Sequence, residues 1–115
     1  MSTVYYNEEA FFDAWRKGVR IAGPLYFSDG HAANVETAKS KYDLAPDYDA
    51  VVSALGTLSS GEAVFLAAMY SFYNDNAGGK MLAQLDAPGL AGISAHLDEP
   101  RCRVIADLLV SYVGW

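Results

Sequence analysis

An all-α fold is predicted: one compact domain of five to seven helices wrapped around a buried central helix at about residues 60–73. Three observations predict it. First, Ala63 to Tyr70 is uninterrupted apolar sequence, and Phe72 and Tyr73 follow after the single break at Ser71. A helix apolar on all sides is a helix buried on all sides, and the alanines favour helix over strand. Second, the segments on either side repeat apolar residues at helical spacing between recognisable start and stop signals. Third, no stretch alternates apolar and polar for long enough to argue a sheet. At 115 residues with 52% apolar composition, the chain fits one domain with its own core.

The elements follow in order. Asn7 is placed to cap a first helix, with Glu8 and Glu9 at the positive end of its dipole. Phe11, Trp15 and Val19 then recur at i, i+4 and i+8, with Phe12 beside them and Asp13, Arg16, Lys17 and Arg20 largely opposite. Gly23-Pro24 should end this helix, because a residue before proline resists the helical region. Leu25-Tyr26-Phe27 reads as an apolar link and Ser28-Asp29-Gly30 as a turn. Residues 31–42 predict a mostly exposed second helix with a thin stripe of Val35, Ala38 and Tyr42. A third helix starts around Asp47, carries Tyr48, Val51, Val52 and Leu55, and can exit at Gly56.

Ser59-Ser60-Gly61-Glu62 is an S-x-x-E capping box at the head of the central helix. Asn74 to Gly79, sequence NDNAGG, reads as that helix's C-cap and turn. Met81, Leu82 and Leu85 suggest one or two further helical turns. Asp86-Ala87-Pro88 looks like a start signal before Leu90, Ile93 and Leu97, and Asp98-Glu99-Pro100 like another. The last helix carries Val104, Ile105, Leu108, Leu109 and Tyr112 on one face, with Gly114 as terminator.

Charge and composition exclude several chemistries. The net charge is −6, which opposes direct nucleic-acid binding, where clustered Lys and Arg must displace counterions. From Tyr42 to Asp98 seven acids face one base, Lys80, so this part of the chain can attract a basic partner. Cys102 is the only cysteine, so no intrachain disulfide can form, as suits a reducing compartment. The N-terminal sequence carries acids where a secretory segment is basic and then apolar. The apolar run from Ala63 is far shorter than the ~20 residues of a membrane span. A soluble, cytoplasmic protein is expected.

No motif specifies a cofactor, a metal or a catalytic centre. An EF-hand frame beginning at Asn74 puts Leu85 where a bidentate acid is required, and one beginning at Asp75 puts Lys80 where glycine is required. Gly79-Lys80 lacks the first glycine of a P-loop and is followed by Met81 instead of Ser or Thr. His31 and His96 are isolated in sequence from each other and from Cys102. Cys102, between Arg101 and Arg103 in the first turn of a helix, has surroundings that would activate a thiol, without a neighbouring base in the sequence.

The aromatic residues point elsewhere. Eight Tyr, five Phe and two Trp exceed what one small core needs. Tyr5, Tyr6, Tyr26, Phe27 and Trp115 lie outside the strong stripes; such residues are enriched where proteins meet partners, and the alternative is that they close the core under the first link and at the C-terminus. The leading expectation is therefore a non-enzymatic helical module that binds a protein or itself. The alternative is a ligand-binding or enzymatic bundle, its pocket lined by Phe65, Met69 and Phe72 with His31 or His96 as the polar group. The segment FLAAMYSFYN, followed after a short loop by LAQLDAPGLAGISAHLD, resembles small uncharacterised bacterial proteins often carried by mobile elements. The likeness spans Phe65 to about Asp98, and it implies neither an activity nor a set of site residues.

Overall fold

Every side chain from Ala63 to Tyr70 is buried, because the helix that carries them is covered by its neighbours on all sides. This arrangement is seen in a computed structural model that describes the backbone from Val4 and the side chains from Asn7, both through Trp115. Seven α-helices are formed: α1 (Val4–Ala22), α2 (Ala33–Thr37), α3 (Tyr48–Leu55), α4 (Ser60–Tyr73), α5 (Asp75–Gln84), α6 (Leu90–His96) and α7 (Glu99–Ser111). Two 3-10 turns, Pro24–Tyr26 and Lys41–Leu44, join them, and no strand occurs among the described residues beyond one isolated bridge between Phe27 and Pro46. α5 folds back on α4, α1 packs along α7, and the two pairs share one core in which Phe11, Trp15, Val19, Val64, Phe65, Met69 and Leu108 are sealed from solvent.

The start of α4 follows from sequence chemistry. Ser59 Oγ accepts from the Glu62 N–H at 3.3 Å, and Glu62 Oε1 accepts from the Ser59 N–H at 3.1 Å, so two otherwise orphaned donors are satisfied reciprocally. The bond from the Ser59 N–H, aided by the Ser59 side chain and the field of Arg101, holds the Glu62 carboxyl below its ordinary range. A carboxyl with a depressed folded-state pKa stabilises the fold above its unfolded value, and that contribution is lost as pH falls through the folded one. Glu62→Gln is therefore expected to flatten the acid limb of a thermal-midpoint-versus-pH profile; an unchanged limb would mean the carboxylate contributes nothing. Asp47 and Asp98 cap α3 and α7 in the same way, accepting from Asp49, Ala50 and Arg101 N–H groups.

Five boundaries differ from the sequence expectation. α1 begins at Val4, so Asn7 does not cap it, and Glu8 and Glu9 lie inside the helix. Residues 31–42 do not form one helix: α2 stops at Thr37, and Ala38 is extended. The Arg16 guanidinium reaches across from α1 and donates to the carbonyls of Val35 and Ala38, so these acceptors need no further helical turn. NDNAGG is not a left-handed turn. Asn74 alone separates two helices, its extended backbone closing α4 through the Tyr70 carbonyl while its Oδ1 accepts from the Ala77 N–H to open α5. Asp86 does not cap α6; it takes a left-handed conformation at the exit of α5, and α6 starts after Gly89. α7 ends at Ser111, ahead of Gly114, whose φ of +99° turns the last residue inward.

Candidate functional site

Trp15 is the base of the candidate site. Helical spacing from Phe11 points both rings into the core, where the Trp15 indole N–H donates to the Leu44 carbonyl at 2.9 Å. Trp115 lies against this base, 4.7 Å from the Trp15 ring centroid and 6.0 Å from Phe11. From Trp115 the rings continue outward in contact. Tyr73 of α4 stands 5.2 Å away at 87°, and Tyr42, on the 3-10 turn, stands 6.3 Å away at 82°. Tyr73 touches Tyr70 at 5.6 Å, and Tyr70 touches Tyr48 of α3 at 6.0 Å. The order Tyr42–Trp115–Tyr73–Tyr70–Tyr48 is thus a single chain of rings in contact, edge-to-face except at the tilted Tyr70–Tyr48 link. Its outer members are open to solvent: Tyr42 is 63% exposed, Tyr48 52% and Tyr73 39%, whereas Tyr70 is buried and Trp115 half-buried.

Lys41 fastens this ridge from beneath. Its ammonium donates to the Gly114 carbonyl and lies 5.3 Å from the ring centroids of both Tyr42 and Trp115 and 5.5 Å from that of Phe11. Burial pushes its pKa down, opposed by the charge of Glu8. The Tyr42 hydroxyl donates to the Trp115 main-chain oxygen at 3.3 Å. Burial also raises the Tyr70 hydroxyl, with smaller contributions from Tyr73, Tyr48 and Asp47.

Acids border the ridge. Tyr42 is followed by Asp43, Tyr48 lies between Asp47 and Asp49, and Asp75 comes two residues after Tyr73; all four carboxylates are exposed. Asp43 accepts from the Lys39 N–H and Asp47 caps α3, while the ion pairs of the described residues, Arg20–Glu36, Arg101–Asp98 and Arg103–Glu99, lie elsewhere. Three cations oppose this acidity: Lys41 beneath Tyr42, Lys39 in the groove beside Tyr42, and Lys80, which borders the α3–α5 groove together with Tyr48.

Of the three aromatics singled out in sequence whose side chains are described, Trp115 alone belongs to this ridge. Tyr26 is half-buried beside the core. Phe27 is not a surface residue: the Pro24–Tyr26 turn folds the link over the core, leaving Phe27 2% exposed and edge-on to Trp15 at 5.9 Å. The side chains of Tyr5 and Tyr6 lie outside the described residues. Conversely, Tyr42, Tyr48 and Tyr73 read in sequence as parts of helices. Their one sequence signal was the acid that accompanies each of them.

The alternative pocket does not assemble. Phe65 and Met69 are completely buried, and Phe72 lies in a separate shallow groove with Leu90, Ile93, Leu109 and Tyr112. His31 is exposed, and His96 Nδ1 meets the Gly92 carbonyl of its own helix at 2.8 Å. Cys102 is half-buried with Sγ 4.0 Å from Ser94 Oγ, and the arginines flanking it are engaged by Asp98 and Glu99. Among the described residues, no group of three potential metal ligands comes together, and no helix is long and apolar enough to cross a membrane. No protein-family model, curated protein or solved structure matches this chain.

Proposed function

We propose that this chain is a non-enzymatic binding module whose protein partner docks on the aromatic ridge. The observation that carries the reading is a continuous row of tyrosines, exposed at its outer members yet packed ring to ring on a tryptophan base. Tyr and Trp supply large contact area at low entropic cost, and rings already held by neighbours lose little further freedom on binding. Such residues are the usual energetic centres of protein interfaces. A second copy fits this face poorly, because its acids would oppose identical acids. The single cysteine suits a cytoplasmic setting.

The test compares proteins retained from host lysate by the native chain and by the Tyr48→Ala/Tyr73→Ala double variant. At about 1–2 kcal/mol per interface tyrosine, retention of the partner should fall by roughly tenfold or more. Val110→Ala, altering a side chain that is 85% exposed on α7, should leave retention unchanged. Equal retention by both ridge-altered and native protein would remove the ridge from the interface. Val110→Ala should keep the native thermal midpoint, whereas the double variant, which loses three ring contacts, should unfold at a lower temperature while retaining its helical circular-dichroism spectrum under the assay conditions.

A further inference from the structure

We infer that the ridge recognises an arginine-bearing segment of its partner, a conclusion that rests on the reading of the ridge as a protein-docking face. Two independent features select this chemistry. The first is the exposed tyrosine rings, whose faces attract cations. The second is charge: the exposed Asp47 is close enough to Tyr70 for its charge to act on the hydroxyl, Asp75 lines the same groove as Tyr73, Asp49 follows Tyr48 in the first turn of α3, and none of these three is paired with a cation among the described residues. Tyr48 and Tyr73 both contact the ring of Tyr70, so these carboxylates border one short stretch of aromatic surface.

The two ends of the ridge differ. At the Tyr42 end the internal cation Lys41 already lies against the rings, and a second cation there would be repelled. Among the described residues the Tyr48–Tyr73 end has no such internal cation, although Lys80 borders the groove on its α5 side. The docking position is therefore the Tyr48–Tyr73 end. A guanidinium suits it better than an ammonium. It is planar, so it can lie on a phenol ring while its edge donates to a carboxylate, and it is more weakly hydrated. The protein uses the same pairing internally: the Arg16 guanidinium sits 4.5 Å above the Phe12 ring while donating to main-chain carbonyls.

The experiment is panning of phage-displayed random peptides of about a dozen residues against the full chain, followed by binding of each retained clone to the Tyr48→Ala/Tyr73→Ala variant. The expected result is a set of clones that need the two tyrosines and are enriched in arginine over the unselected library. For a synthetic peptide of one such clone, changing every Arg to Lys should weaken binding several-fold. Asp49→Asn/Asp75→Asn and added salt should each weaken it further, as expected for partly screened surface charges. Clones that need the tyrosines but show no arginine enrichment, or that tolerate lysine equally, overturn this inference and leave the docking face standing. Arginine-rich clones that bind the double-tyrosine variant as well as the native chain also overturn it, since the acids alone would then be responsible. Absence of any tyrosine-dependent clone overturns both the inference and the docking face.

Discussion

Trp15→Ala is expected to destabilise the protein by about 3–5 kcal/mol, the range for removing a fully buried large aromatic side chain. Three losses combine at this position. The side chain is completely buried, so a cavity remains where the indole stood. The Leu44 carbonyl loses the indole N–H that satisfies it. The rings of Phe11, Phe27 and Trp115 lose a shared neighbour, at centroid distances of 5.9, 5.9 and 4.7 Å. Since small domains are stable by only about 5–15 kcal/mol, the variant should unfold at much lower denaturant concentration. Trp15→Phe separates the contributions. It restores much of the volume but no donor, so it should cost about 1–3 kcal/mol through the unsatisfied carbonyl. Urea denaturation of the two variants checks the order. A loss below about 1 kcal/mol for Trp15→Ala, far short of the ordinary cavity cost, would mean that Trp15 does not support the core. The same substitution removes the base of the ridge, so Trp115 should become more exposed to a fluorescence quencher.

Neighbouring glycines should respond with opposite signs to the same substitution. A Cβ added at Gly78 would stand 2.6 Å from the Ser71 Cβ and 2.7 Å from the Ser71 nitrogen. The obstacle is largely backbone, so no change of rotamer relieves it, and α5 would have to move away from α4. Overpacking of this kind costs about 1–3 kcal/mol. That outweighs the ~1 kcal/mol by which alanine exceeds glycine in helix propensity. A Cβ at Gly79 meets nothing within 4 Å, and the residue lies in the same helix. Gly79→Ala should therefore stabilise by about 0.5–1 kcal/mol. Thermal midpoints of the two variants measured side by side decide the matter. Equal shifts of one sign would show that close approach of α4 and α5 does not explain Gly78.

At the same glycine pair, local sequence and tertiary packing point to different structures. In sequence, Asn-Asp-Asn-Ala-Gly-Gly has the composition of a turn, and glycine ordinarily weakens a helix interior. In the structure, Gly78 is the point where two helices meet so closely that no side chain fits between them. Local propensity carries no information about such a contact. Lys41 illustrates the same limit. It was placed in an exposed helix by its polar neighbours, yet it is 8% exposed because Gly114 and a group of aromatic rings surround it. For Phe27 the sequence leaves partner contact and core closure both open, and the packing of Trp15 encloses it.

What the sequence determined by itself was whatever depends on neighbours along the chain: the all-α class, the Ser59–Glu62 cap, the buried run from Ala63 to Tyr70, and the caps at Asp47 and Asp98. These follow from helical periodicity and from hydrogen bonds spanning three residues, both of which are written in adjacent letters. The tertiary structure alone decided the ridge. Its rings come from the 3-10 turn, α3, α4 and the segment after α7, and the Tyr42–Trp115 contact joins residues at positions 42 and 115. Side chains so far apart become neighbours only through the packing of whole helices, and that packing determines which of fifteen aromatic residues face outward.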